Sequence, residues 1–166
     1  MRIPEKIRRL LPAHKRLEWY PPFRALRVKV VDLSDDWRTV RLLLPLAANR
    51  NPGGGMFGGS MACLADPIAA LVCNRHFPGH QLWTRDLSLD FQHESRTDME
   101  LRFVLDPAHE AAIRTELSER GRATPRFEYG FYDAQEQLCV KVHCRVAIRP
   151  HDYRPAAGLK RSTRAE

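Results

Sequence analysis

The chain has 166 residues, 43% of them hydrophobic and 28% charged, with a formal net charge of +7. That length suits one domain with a core of its own, and the balance excludes a disordered, collagen-like or disulfide-scaffold chain. No apolar run reaches the roughly 20 residues of a membrane-crossing helix. The basic start "MRIPEKIRRLLPAHKRLEWYPPF" has neither the apolar core nor the small-residue cleavage site of an export signal, so the expectation is a cytoplasmic protein with no membrane partner.

Basic residues gather at the two ends, Lys6 to Arg16 and Arg149 to Arg164. No helix-turn-helix or RNA-binding pattern accompanies them, so no nucleic-acid partner is expected. They read as solvated segments, or as an attraction for a polyanionic small molecule. Cys63, Cys73, Cys139 and Cys144 lack metal-ligand spacing and read as reduced, partly buried residues; no metal and no cofactor is expected.

In chain order, residues 1–24 read as one or two short amphipathic helices stopped by "YPPF". Period-two alternation follows: Leu26, Val28 and Val30, then, after the turn "SDD", the run "DWRTVRLLLPL". Both predict strands with one buried face. From Ser60 to Phe77 the residues are almost all apolar, and Asp66 is the one charge before Arg75. A helix apolar all round belongs inside something. Alternation resumes at Leu87, Leu89 and Phe91, and again at Leu101, Phe103 and Leu105. "DPAHEAAIRTELSERG" predicts a helix capped by Asp106, with Pro107 in its first turn and Gly121 as its stop. Phe127, Tyr129 and Phe131 form a strand joined through the turn "DAQEQ" to the last one, "LCVKVHCRVAI", with Lys141, His143 and Arg145 on its wetter face. The expected fold is α+β: a curved antiparallel sheet of five or six strands wrapped around a long central helix over residues 25–149, followed by a basic tail, 150–166.

Asp66 admits two readings. Asp-Pro starts a helix when Asp is the cap and Pro the first helical residue, and the chain uses that device at Asp106-Pro107. Yet Ser60 to Ala65 are helix formers without turn chemistry, so a helix could equally begin between Gly58 and Ser60. Pro67 would then remove one internal hydrogen bond and kink it, and Asp66 would be a carboxylate on an apolar helix, needing a partner or a polar cavity.

The stretch "NPGGGMFGGSMACLAD" resembles the signature of hotdog-fold acyl-CoA thioesterases of the PaaI-like branch, in Asn51, in Phe57-Gly58-Gly59 and in the spacing to Asp66; "QLWTRDLSLDFQHES" is similar to the strand that follows. The resemblance covers about Leu26 to Arg149. It implies a hotdog fold and hydrolysis of an acyl-CoA or related thioester. The Gly58 N–H would polarise the thioester carbonyl, Asn51 would donate a second hydrogen bond, and Asp66 would activate water or attack directly. It implies Gly59 and Phe57 beside the substrate, and a homodimer whose two subunits complete each site, with pairing of dimers in turn. Coenzyme A carries phosphates, so Arg120, Arg122 and Arg126 are candidates to meet them. The chain departs from the pattern at Phe57, where a His is usual, and at Ala70, where some relatives hold water with Ser or Thr. The alternative function is therefore a non-catalytic acyl-CoA binding or sensing protein of the same fold.

Overall fold

The computed structural model describes residues 11–154; the first part of the expected N-terminal segment and most of the expected tail lie outside them. Two short helices come first, α1 (Ala13–Glu18) and α2 (Pro21–Ala25). Pro21 and Pro22 occupy the first turn of α2, where a missing N–H costs nothing, so "YPPF" both ends one helix and opens the next. The strands β1 (Lys29–Leu33), β2 (Thr39–Leu44), β3 (His80–Phe91), β4 (Met99–Val104), β5 (Arg126–Tyr132) and β6 (Leu138–Pro150) form one antiparallel sheet in the order β1-β2-β4-β5-β6-β3. The two long helices are α3 (Gly58–His76) and α4 (Pro107–Arg120).

Alternation decides which side of the sheet is apolar. Val40, Leu42 and Leu44 on β2, Leu101 and Phe103 on β4, Phe127, Tyr129 and Phe131 on β5, and Val140, Val142, Cys144 and Val146 on β6 are all buried. They share the face that receives α3. The helix seats Met61, Leu64, Ala65, Ile68, Ala69, Val72 and Cys73 there, and burying each of the larger ones is worth about 2 kcal/mol. Burial pushes the Cys73 thiol up to about 12 and the Cys144 thiol to about 11, so both are inert packing groups.

The opposite face of the sheet carries charge. Arg145 pairs with Asp86 at 3.1 Å, Glu128 with Lys141 at 3.1 Å and with His143 at 3.2 Å, and Glu100 with Arg41 at 2.5 Å and Arg102 at 2.8 Å. His143 therefore stands on a wetted sheet face, as its neighbours in sequence suggest. β1 and β3 are the edge strands, and β3 is the longer, at 12 residues. Its alternation breaks at Arg85, an extra residue between the pairs Thr84↔Val146 and Asp86↔Arg145, a bulge of the kind common at sheet edges.

α4 begins as expected. Asp106 caps it, its side chain accepting from the N–H groups of Ala108 (2.8 Å) and His109 (3.1 Å), and Gly121 ends it with a left-handed φ of 64°. Its anchor to the body is Glu110, buried, which receives Arg38 and Arg114 at 2.5 Å each and His76, the last residue of α3, at 3.3 Å. Burial alone would raise the Glu110 carboxyl; the hydrogen bonds from Arg114, His76 and Arg38 outweigh it and hold the group below its ordinary 4.5. A carboxyl lowered by folding contributes stability above its unfolded value and loses it as pH falls through the folded one. Glu110→Gln is expected to cost about 3 kcal/mol in urea denaturation at pH 7. The gap between the two proteins should close as pH is lowered beneath 4.5.

Candidate active site

The loop before α3 is fixed from both sides. Asn49, buried, donates through its side-chain amide to the carbonyls of Leu26 (2.8 Å) and Pro45 (2.9 Å), while its own carbonyl accepts the Phe57 N–H (2.8 Å). Met56 donates its N–H to the Ser95 carbonyl at 2.7 Å. Between these anchors Asn51 closes a tight turn: its side-chain oxygen accepts the Gly55 N–H (3.1 Å) and its amide donates to the Met56 carbonyl (3.3 Å). A buried Asn inside a loop leaves no periodic signal, and Asn49 is missed by reading the sequence.

Phe57 caps α3, and the helix starts at Gly58. Asp66 is therefore the ninth helical residue and not a cap, and Pro67 lies inside the helix. The N–H groups of Gly58 and Gly59 belong to the first turn, which has no intrahelical acceptors, and no other acceptor meets them among the described residues. They sit at the positive end of a 19-residue helix. A cleft of about 300 Å³ opens there, lined by Asn51, Met56, Gly58, Met61, Phe91 and Glu94 among others. Phe91, read from its alternation as an inward residue, is instead 54% exposed, and Phe57 is 53% exposed. Both rings lean on the glycine pair. A Cβ on Gly58 would stand 3.2 Å from the Phe91 ring, and one on Gly59 2.5 Å from the Phe57 ring. Glycine is needed here for close approach.

Asp66 faces outward. Along α3, Gly59, Cys63, Asp66, Asn74 and Arg75 are exposed, so the helix is enclosed on one side only. Cys63, expected to be partly buried, shares this open face. Around Asp66 the main chain receives two side-chain hydroxyls: Thr84 of β3 donates to the Asp66 carbonyl and Tyr129 of β5 to the Ala65 carbonyl, each at 2.8 Å. Burial, with the nearby Cys144 and Asp66 as lesser causes, drives the Tyr129 hydroxyl far above its usual value, so it stays a donor. These two tethers depend on which strands pack under the helix, which no local pattern reveals.

Asn51 and Gly58 thus meet at one cleft, with Gly59 and Phe57 beside it. Asp66 stands eight residues along the helix, about 12 Å away at the ordinary helical rise. The arginines are elsewhere. Arg120 ends α4, 3.8 Å from Glu116, and Arg122 is exposed just beyond it. Arg126 stands on the sheet face away from α3, in a depression of about 410 Å³ with Asp86, Glu128, His143 and Arg145. None of the three lines the cleft at Gly58. No group of three metal-ligating side chains occurs among the described residues, and no helix there is long and apolar enough to cross a membrane.

A curved antiparallel sheet packed on one long helix is the hotdog fold, and solved structures share it. A Pseudomonas aeruginosa protein of unknown function, described as a probable thioesterase, superposes with a TM-score of 0.74 at 23% identity, over 91% of this chain and 99% of that one. A Haemophilus influenzae thioesterase gives 0.64 at 13% identity over 83% and 89%. The Escherichia coli PaaI protein of the phenylacetic acid degradation operon gives 0.59 at 15% over 86% and 94%. Residues 14–148 match a family described as "Domain of unknown function (DUF4442)", and the chain belongs to that family. No curated protein matches it.

Removing the Tyr129 hydroxyl should loosen the tether without touching the open face. Tyr129→Phe is expected to lower stability by about 1 kcal/mol, read as a lower midpoint in thermal denaturation.

Proposed function

We propose that the protein hydrolyses an acyl-CoA or related thioester, with Asp66 as general base and the Gly58 N–H as the group that polarises the carbonyl. The observation that carries this reading is the start of α3 at Gly58, which leaves a helix N-terminus with unmet N–H groups beside a cleft and makes Asp66 an outward-facing helical carboxylate. Preorganised donors of that kind stabilise the charge that develops on a carbonyl oxygen. The Asn51 amide, which lines the same cleft, is the second donor. The fold shared with thioesterases supports the same chemistry.

About 12 Å along one helix is too far for Asp66 and Gly58 to act on one carbonyl. The reading therefore requires two copies, the carboxylate of one meeting the glycine N–H of the other. The long edge strand β3 supplies the surface for such a homodimer: its outer edge is unpaired, and Thr84 and Phe91 on it stand level with Asp66 and Gly58. The basic side chains Arg120, Arg122 and Arg126, none of which lines the cleft of its own chain, are proposed to meet the coenzyme's phosphates only where these emerge from the cleft, and the site uses no metal and no cofactor. The second reading, a non-catalytic acyl-CoA binder, draws on the Phe57 and Phe91 rings, which hold apolar surface where the resemblance implies a polar group.

Release of free CoA from a panel of acyl-CoAs separates the two. Asp66→Asn should reduce kcat at least a hundredfold; if wild type and variant are equally inactive while acyl-CoA still binds, the binder reading stands. Gly58→Pro removes the donor at a helical position that tolerates proline, and Gly58→Ala is its control, because both place a Cβ 3.2 Å from the Phe91 ring and only alanine keeps the N–H. The proline variant should have a kcat lower than the alanine variant's by a factor of about 10² to 10³. Mixing the two inactive variants under exchange conditions should restore activity, since a mixed dimer carries one intact site. Failure to complement would rule out the composite site.

A further inference from the structure

Pro67 is the residue of α3 that the proposed chemistry leaves unexplained. Proline in a helix interior removes the N–H that the carbonyl four residues earlier would accept, and its ring pushes that carbonyl aside. Here the carbonyl is that of Cys63. Its neighbours are provided for, Ala65 by Tyr129 and Asp66 by Thr84, but among the described residues no side chain donates to Cys63 O. Cys63 and Asp66 are both exposed, three residues apart on the open side of the helix. A helical side chain leans back over the preceding turn, so the Asp66 carboxylate lies over the turn that carries this carbonyl. Ala70, one turn further on, offers no polar atom. The result is two acceptors on one side of the helix, one charged and one neutral, to neither of which a side chain donates among the described residues. Unmet main-chain acceptors are filled by water.

On the hydrolysis reading above, we infer that Pro67 is a positioning residue: by leaving the Cys63 carbonyl without its helical partner, it holds the nucleophilic water beside Asp66. The water gives one hydrogen to Cys63 O and the other to the Asp66 carboxylate, which turns its oxygen lone pairs outward from the helix. In the reaction the O–H bond toward Asp66 breaks, its proton passes to the carboxylate, and the water oxygen bonds to the thioester carbon. Collapse of the tetrahedral intermediate breaks the C–S bond, and the proton on Asp66 passes to the departing thiolate. The products are the free acid and the thiol. The hydrogen directed at Cys63 O stays on the attacking oxygen, so the carbonyl orients the water and takes no proton.

Pro67→Ala tests this, because it returns an N–H to the Cys63 carbonyl and changes no group that touches substrate. The variant is expected to be more stable, since alanine replaces proline in a helix interior, with a melting temperature several degrees higher. Its kcat should nevertheless fall about tenfold, with KM within twofold of wild type. A merely structural proline would not produce a loss of kcat together with a gain in stability. Wild-type kcat in Pro67→Ala, alongside an inactive Asp66→Asn, overturns the positioning role and leaves hydrolysis by Asp66 intact. A lowered melting temperature accompanying the loss of kcat assigns Pro67 to the fold and also overturns it. Inactivity of wild type toward the whole panel removes the hydrolysis reading itself, and this inference with it.

Discussion

One packing face of α3 sets the rest of the molecule. Leu64, Ile68 and Val72 stand in a single row, flanked by Met61, Ala65, Ala69 and Cys73, and all of them are buried. Turning the helix by one residue, about 100°, would lift most of that row into water at several kcal/mol. The phase is therefore not negotiable, and what faces outward follows from it: Gly59, Cys63 and Asp66. The tethers from Thr84 and Tyr129 to the middle of the helix hold the same phase by hydrogen bonds, at the point where Pro67 weakens it. The sheet, the open face and the carboxylate are consequences of one fit.

The same dipeptide takes two roles in this chain, and that shows what can be read locally. Asp106-Pro107 caps α4, while Asp66-Pro67 sits in the ninth and tenth positions of α3. The three residues before each differ, Cys63-Leu64-Ala65 against Phe103-Val104-Leu105, but that bias alone leaves the start of α3 open. The difference lies upstream, where Asn49 and Ser95 hold the backbone of Met56 and Phe57 so that the helix must begin at Gly58. The strands with strict alternation, β2, β4, β5 and β6, were legible because period two reports burial directly. β3 was half legible: its first part is hidden by the Arg85 bulge, which shifts alternation by one residue. Phe91 departs from its alternation because its ring lies against Gly58, a contact across 33 residues of sequence. Asn51 and Gly58, which line the cleft, are singled out in the sequence only by the family resemblance, and the tethers Thr84 and Tyr129 are not, because a hydroxyl that serves a distant carbonyl carries no pattern.

Low sequence identity with the shared fold has a physical side. Solved structures at 13% to 23% identity share the helix and the sheet, which ask only for apolar residues at the right periods. Such a demand is met by many sequences. The helix start asks for more: an unencumbered backbone at Gly58 and Gly59, close against two aromatic rings, and a loop that arrives at one angle. The chain spends its specific residues there and its generic ones in the core.

The charged side of the sheet has a bearing on growth. Asp86 with Arg145, Glu128 with Lys141 and His143, and Glu100 with Arg41 are paired across strands, Arg102 pairs with Glu100 along β4, and all remain partly hydrated. A second sheet stacked on them would have to strip that water from each ion, a penalty the attraction within each pair does not recover. Stacking of the kind that drives fibrils is thereby made costly on this side. Outside that face the molecule presents the unpaired outer edges of β1 and β3 and the exposed flank of α3.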